Sequence, residues 1–281
     1  MGNIMEWDIM KFAKLEAVGN DFIVIEDFNN KFKGNESSFS KKICDRHFGI
    51  GADGVLFVRD TDKADIEMCI INKDGSYAKM CGNGIRCFAK YVYEKRIVRK
   101  DKMKILTGDG VKPVKLEIVN NNIKEIKVNM GAGDFDPKSI AANSDKPIID
   151  NILKIGNDNV RITSLLLGVP HTVIFDDFDL EKAKYIEKHK LFLEGTNVNF
   201  CRVIDRENIE LRTYERGAGE TLACGTGSCA AALVAYKKGY VNSDINIKLL
   251  GGMIKTELRD DIIFMVGNAN FICEGIYLGE R

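Results

Sequence analysis

The sequence predicts an α+β fold built from two similar halves, and three observations carry that expectation. The first is an internal repeat. Met80-Cys81-Gly82-Asn83-Gly84-Ile85-Arg86-Cys87-Phe88-Ala89-Lys90-Tyr91-Val92-Tyr93 recurs about half a chain later as Ala223-Cys224-Gly225-Thr226-Gly227-Ser228-Cys229-Ala230-Ala231-Ala232-Leu233-Val234-Ala235-Tyr236. Both read Cys-Gly-polar-Gly and then an apolar pattern with helical spacing. The second is a weaker repeat in the same register. Gly19-Asn20-Asp21-Phe22-Ile23-Val24-Ile25 precedes the first cysteine motif, and Gly168-Val169-Pro170-His171-Thr172-Val173-Ile174-Phe175 precedes the second. The third is that strand candidates outnumber helix candidates, which favours α+β over a doubly wound parallel sheet.

The elements follow in order. Alternating or β-branched runs bounded by Gly, Asn and Asp predict strands over Phe22–Glu26, Asp65–Ile71, Val114–Val119, Ile123–Asn129, His171–Phe175, Ile209–Tyr214, Ile245–Leu250 and Ile262–Val266. Helical spacing predicts helices over Ser37–Arg46, Gly84–Tyr93, Leu180–Lys188 and Gly227–Lys238. Asn120-Asn121-Asn122 is a turn signal near the midpoint. It divides the chain into halves over 1–122 and 123–267, with no low-complexity linker between them.

Composition narrows the function. The 281 residues suit one large domain or two modest ones, and 45% hydrophobic residues with 29% charged ones can form a sizeable core. Lys plus Arg (41) equals Asp plus Glu (41). That balance argues against a general nucleic-acid or membrane-surface binder. No apolar run reaches the roughly 18 residues of a membrane helix. Met1-Gly2-Asn3-Ile4-Met5-Glu6 has neither a secretion leader nor a myristoylation pattern, so a cytoplasmic protein is expected. In a reducing compartment the eight cysteines are expected to be mostly buried apolar residues rather than disulfides.

Cys-Gly-x-Gly at a helix start has chemistry of its own. The helix N-terminus offers unpaired amides and partial positive charge. A cysteine placed there ionises more easily than a free thiol. The amides can hold a carboxylate or a developing oxyanion. Two such elements, from symmetric halves, suit inversion of an amino-acid α-carbon. One thiolate removes the α-proton, and the opposite thiol returns one to the other face. Cys81 and Cys224 would exchange acid and base roles with reaction direction, with titrations coupled through the shared substrate.

The rival readings are structural. Cys87 and Cys229 fall inside the helices, where packing explains them. A zinc site would need Cys81, Cys87, Cys224 and Cys229 together, and their Cys-x5-Cys and Cys-x4-Cys spacings are not the compact Cys-x2-Cys knuckle. His47, His171 and His189 form no ligand pattern, and His189 between two lysines reads as solvated. The glycines match neither a Walker nor a Rossmann signature, and nothing singles out a pyridoxal-binding lysine.

With these residues in view, the chain resembles the diaminopimelate epimerase family, which works without pyridoxal phosphate. The resemblance covers nearly the whole chain from about Met10. It is carried by Gly19-Asn20-Asp21-Phe22, by Asp45-Arg46-His47-Phe48-Gly49-Ile50-Gly51-Ala52-Asp53-Gly54, by Met80 to Ala89 and by Tyr214 to Gly227. It implies two pseudo-symmetric α+β halves, each a barrel-like sheet around a central helix, with the active site in a cleft between them. It also implies that a C-terminal segment, about 268–281, returns to the first half. Cys81 and Cys224 match the catalytic thiols. Gly82, Asn83, Gly225 and Thr226 match the amides that hold the reacting carboxylate. Asn20, Asn72, Asn197, Glu215 and Arg216 match substrate-binding positions, with Arg216 suited to the distant carboxylate. His171 and Glu215 match groups that tune the thiols. No cofactor and no metal are implied. The partners implied are a small amino-acid substrate and a second copy of the chain, with no nucleic acid and no membrane.

Three positions depart from the family pattern. Val169 stands where the family commonly has Asn, Tyr77 where it has Glu after Asp-Gly-Ser, and Leu15-Glu16-Ala17 where it often has Met-His-Gly. Val169 cannot donate a hydrogen bond to the distal end of the substrate. Retained Arg216, Asn72 and Asn197 favour conversion of LL- to meso-diaminopimelate, in lysine biosynthesis, as the leading reading, while Val169 and Tyr77 favour another substrate. A second is racemisation of another amino acid, such as histidine or a basic one, on the same scaffold. A third, from a different class, is a non-catalytic thiol or zinc protein.

Overall fold

The computed structural model describes residues 9–279, so the N-terminal hexapeptide discussed above lies outside the described residues. The chain divides into two units, one running to Ile126 and taking in the chain from Asn268, the other spanning Lys127–Gly267.

In chain order the first unit carries β1 (Met10–Ala17), β2 (Asn20–Glu26), α1 (Glu36–Ile43), β3 (Gly54–Arg59), β4 (Ile66–Asn72), β5 (Tyr77–Ala78), α2 (Gly82–Glu94), β6 (Lys102–Thr107) and β7 (Gly110–Val119). β8 (Asn122–Gly131) contains the division. The second unit continues with β9 (Asn151–Ile155), β10 (Asp158–Leu167), β11 (Val169–Ile174), α3 (Leu180–Glu187), β12 (Asn197–Val203), β13 (Asn208–Glu215), β14 (Gly219–Thr221), α4 (Gly225–Lys237), β15 (Asp244–Leu249), β16 (Gly252–Arg259) and β17 (Ile262–Gly267). β18 (Asn270–Tyr277) belongs to the first unit and pairs antiparallel with β1.

The repeat in the sequence is a repeat in strand pairing. β1 and β2 pair antiparallel, β2 and β3 parallel, β3 and β4 antiparallel, β4 and β6 parallel, and β6 and β7 antiparallel. The second unit runs the same series through β10, β11, β12, β13, β15 and β16. α1 lies in the connection from β2 to β3, and α3 in the matching connection from β11 to β12. α2 and α4 follow the short strands β5 and β14. Each parallel step needs a crossover rather than a hairpin, which is why a helix or loop intervenes there.

In each unit the helix after the cysteine packs against the strands of its own unit. α2 packs on β1, β2 and β4 of its unit, and α4 on β10 to β13, β16 and β17 of its own. Every residue of α4 from Gly225 to Ala235 is buried. Its Ala230-Ala231-Ala232 run lets strands approach on all sides, as expected of a helix that is apolar all round. α2 keeps a polar edge, where Lys90 pairs with Glu94 one turn on.

The helix starts differ from the sequence expectation. α2 begins at Gly82 and α4 at Gly225, each ahead of the glycine predicted to open it. The reason is the cap. Cys81 and Cys224 are extended N-cap residues whose sulfurs accept the amides of Gly84 and Gly227. α1 ends at Ile43 instead of Arg46, because the Ile50 and Gly51 amides fold back onto the Ile43 carbonyl. The eight expected strands are joined by others, some of which, such as β1 and β6, do alternate between more and less buried positions. β3 is buried at all six positions and has no alternation to read. Asn120 and Asn121 adopt left-handed backbones in the turn joining β7 to β8, and the unit boundary falls inside β8, just past that turn.

Candidate active site

Within the first unit the site residues gather around the start of α2. The Gly84 amide lies 3.4 Å from Cys81 Sγ. Gly82 and Asn83 are the first helical residues, so their amides have no intrahelical acceptor. An amide aimed at sulfur, together with the helix dipole, stabilises a thiolate. Phe22 ties this turn to its neighbours. Its ring lies against both Gly84 and Gly54, and Gly54 faces Asn72 across the β3–β4 ladder.

Asn20 opens β2, and its Oδ1 is buried without a hydrogen-bond partner among the described residues. Asn72 closes β4 and donates to Ser76 Oγ at 2.9 Å. Asn83 Oδ1 accepts from Arg86 Nη2 at 3.0 Å. Arg86 was not singled out by sequence reasoning, yet it is fully buried. It also donates to the carbonyls of Gly82 and Asn268. A buried guanidinium thus sits behind the first turn of α2, where α4 has Cys229 at the matching position of the repeat. A lone arginine within the apolar face of a predicted helix was the available signal.

The rest of the first-unit signature is scaffold. Asp21 takes Arg46 at 2.8 Å and Lys14 at 2.9 Å, while Arg46 reaches Asp53 at 3.3 Å. Burial pushes the Asp21 carboxyl up, but the Arg46 and Lys14 cations outweigh it and hold it below the usual carboxylate range. These links fasten the loop after α1 to β2, beside Asn20.

The second unit carries a denser network. The Gly227 amide lies 3.3 Å from Cys224 Sγ, and Thr226 Oγ1 stands 3.5 Å from the same sulfur. The Cys224 thiol is also hydrogen-bonded to the Glu215 carboxyl. Glu215 accepts from Thr221 Oγ1 at 2.6 Å. Burial raises the Glu215 carboxyl above its ordinary value, and the Thr221 and Cys224 bonds only partly offset it. A carboxyl whose ionisation is opposed by burial therefore lies at the sulfur.

Asn197 and Arg216 meet through the backbone. The Arg216 amide donates to Asn197 Oδ1 at 2.8 Å, and Arg216 Nη1 donates to the Glu194 carbonyl at 2.7 Å. Gly195, at φ +75, leaves room for the Arg216 stem, since a Cβ there would come 3.1 Å from Arg216 Cδ. The guanidinium is exposed and aimed by this clamp. His171 is fully buried in β11, and burial first, then the Arg216 charge, pulls its pKa down to about 3. Beside it lies Asn199, a residue sequence reasoning passed over. Its signal was the Asn197-x-Asn199 spacing, which places two amides on one face of an otherwise apolar strand.

The remaining expectations divide. Cys44, Cys69, Cys87, Cys201 and Cys229 are buried as expected, and Cys273 is exposed on β18, where the strand faces solvent. His189 is not simply solvated. It is half-buried, accepts the Leu191 amide at Nδ1 and lies against the Tyr185 ring. Of the three departures, Glu16 closes the β1–β2 turn by accepting from the Gly19 amide at 3.0 Å and from Asn270 at 2.6 Å. Tyr77 is exposed, with its hydroxyl over Gly108. Val169 is half-buried at the start of β11, next to Gly168, which packs on Thr226.

Comparison with solved structures finds the same fold in proteins of low sequence identity. A hydroxyproline epimerase from Agrobacterium vitis superposes with a TM-score of 0.71 at 12% identity, covering 97% of this chain and 93% of the other. A PhzF-family phenazine biosynthesis protein from Bacillus anthracis gives 0.70 at 14% identity, covering 96% and 99%. At such identities the likeness is one of fold. The particular family comes from sequence. The model of the diaminopimelate epimerase family matches residues 12–135 and 163–272. A diaminopimelate epimerase of Clostridium perfringens is 58% identical over 271 residues, covering 96% of this chain and all of that one. Another from Methanocaldococcus jannaschii is 41% identical, covering 92% and 96%. The chain belongs to the diaminopimelate epimerase family and is an isomerase.

Proposed function

We propose that the protein interconverts LL- and meso-diaminopimelate by a two-thiol proton transfer that draws on neither pyridoxal phosphate nor a metal. The observation that carries this reading is the duplicated cap. Cys81 and Cys224 each receive an amide at the sulfur, at the head of a helix whose first amides have no intrahelical acceptor. In one direction a thiolate takes the α-proton, and the other thiol returns a proton to the opposite face. The carboxylate gains charge as the carbanion develops. The amides of Gly82, Asn83, Gly225 and Thr226 stabilise it. Glu215 exchanges a proton with Cys224, and His171 stays neutral as a donor. Asn20, Asn72 and Asn197 hold the substrate's polar groups, and Arg216 grips the distal carboxylate.

Identity of 58% to a relative named for this activity supports diaminopimelate over another amino acid. Val169, Tyr77 and Glu16 are then tolerated changes, and the histidine or basic-amino-acid alternative loses its ground. The test is solvent deuterium exchange at the α-carbon by NMR, on reduced protein without pyridoxal phosphate. Exchange and inversion of diaminopimelate are expected, and Cys81→Ser or Cys224→Ser lowers them by roughly 100- to 10,000-fold. Unchanged turnover in both single variants would refute the two-thiol mechanism.

Two further assignments belong to this reading: cytoplasmic location and a homodimer. Among the described residues no helix is long and apolar enough to cross a membrane. The dimer is supported by β18, which exposes Ile272 and Ile276, with Leu278 just beyond its end. Light scattering of the purified chain at several concentrations tests it.

A further inference from the structure

Asn199 sits on β12, fully buried, where four segments of the second unit meet. Its Nδ2 lies 3.1 Å from the Thr172 carbonyl, 3.3 Å from the Asn197 carbonyl and 3.2 Å from His171 Nδ1. Its Oδ1 accepts from Thr213 Oγ1 at 3.0 Å. Carbonyls only accept, so the NH2 end of the amide must face them, and the flipped orientation is excluded. An NH2 group cannot accept a hydrogen bond. A proton on His171 Nδ1 would meet this NH2 donor to donor, so the ring nitrogen presents a lone pair and shares the two N–H bonds with the two carbonyls. A neutral imidazole with a bare Nδ1 carries its proton on Nε2. That Nε2 is buried and has no hydrogen-bond partner among the described residues. An unmet buried donor costs stability, which is recovered only when an acceptor arrives.

We propose that Asn199 is a positioning residue that fixes His171 as the Nε2–H tautomer, holding a buried donor in readiness for the anionic group that develops during the reaction. The same amide seats α4. A Cβ at Gly227 would collide with Asn199 Oδ1, so the first turn that bears Cys224 rests directly on this side chain. Asn199 thus couples the orientation of the imidazole to the position of the thiol. The inference rests on the reading of His171 as part of the site. Its first test does not depend on turnover.

Long-range 1H–15N spectra of the full chain, labelled with 15N-histidine, report the tautomer directly at pH 7.5. The His171 signals are assigned by their loss in His171→Gln. A single Nε2–H form is expected in the wild type. In Asn199→Ala, the Nδ1–H form is expected to appear beside it. Turnover of diaminopimelate should fall about 10- to 100-fold in kcat, with KM held within about threefold, as for a misplaced catalytic group. A wild-type Nδ1–H form or imidazolium would overturn the proposal. So would an unaltered tautomer in Asn199→Ala, or an altered one with kcat unchanged. If Asn199→Ala fails to fold, the wild-type spectrum and the more conservative Asn199→Ser decide by the same criteria. If diaminopimelate is not turned over by the wild type, the substrate reading fails while the tautomer result stands.

Discussion

At the scale of single residues, the cysteines separate by what surrounds each sulfur. Burial pushes the Cys44 and Cys201 thiols up to about 12 and Cys69 up to about 11. Cys87 is driven up by the same cause. These thiols are inert packing groups. Cys81 and Cys224 instead have amide donors at the sulfur. Glu215 adds a carboxyl at Cys224 whose ionisation is opposed by burial. Glu215→Gln keeps the shape and removes the titrating carboxyl, and with it the proton exchange proposed above. Turnover is expected to fall roughly 100-fold or more. Stability is expected to move the other way. A raised carboxyl favours folding at low pH, and its ionisation costs stability as pH rises through the folded value. The neutral amide lacks that cost, so the denaturant midpoint of Glu215→Gln at pH 8 should equal or exceed the wild type. A lower midpoint would mean that the charged carboxylate holds the loop. The thiols were singled out by a duplicated motif, and Glu215, Asn197 and Arg216 by a family pattern. Arg86 and Asn199 were not, because their importance lies in being buried against the motif, and burial is not visible one residue at a time.

At the scale of elements, the sites depend on turns that bring a strand end to a helix start. The β1–β2 hairpin turns at Val18 and Gly19, with φ of +56 and +81. A glycine adopts this freely, but a β-branched residue there is strained by about 1–3 kcal/mol. The strain lies next to Asn20, at the mouth of β2. Val18→Asn, with a side chain that tolerates the left-handed region, should raise stability by about 1 kcal/mol, measured as a shift in denaturant midpoint. An unchanged or lower midpoint would show that Val18 is held by packing worth as much as the strain. At α4 the constraint is reversed. Gly227→Ala drives a methyl into Asn199 Oδ1. Overpacking of that kind costs about 1–3 kcal/mol, and the displaced first turn should cost turnover as well. If Gly227→Ala matches the wild type in both, the close packing of α4 on Asn199 is not needed. The element count shows where pattern reading stops. Helices α2 and α4 could be placed from the repeat, while β3 and β12 could not, since strands buried on both faces carry no period.

At the scale of the whole molecule, the formal charge is balanced, and pH acts through particular groups rather than through net repulsion. Two mechanisms operate in different windows. In the first unit, Asp21 is held below its ordinary value of 3.8, and Glu36 below 4.5. For Asp21 burial opposes the shift, and Arg46 with Lys14 prevails. For Glu36 burial again opposes, and Arg59 with nearby amides prevails. Groups of this kind contribute stability above their unfolded values and lose it as pH falls through the folded ones. They act only below about pH 4.5. His171 acts earlier. Its pKa falls from 6.5 when unfolded to about 3 when buried. Below pH 6.5 the unfolded chain takes up a proton that the folded chain refuses. Stability should therefore drop by up to about 1.4 kcal/mol per pH unit between pH 6 and pH 4, before the carboxylates titrate. His171→Gln removes this proton and should make that window shallower, leaving the smaller contribution of His189, whose pKa burial also lowers, and the steeper loss below pH 4 in place. Denaturant midpoints of the two proteins, taken at half-unit steps from pH 7 to pH 3.5, decide the matter. Parallel curves across pH 6 to 4 would mean that His171 titrates in the folded state. A neutral imidazole beside Asn199 would then no longer describe the molecule at work.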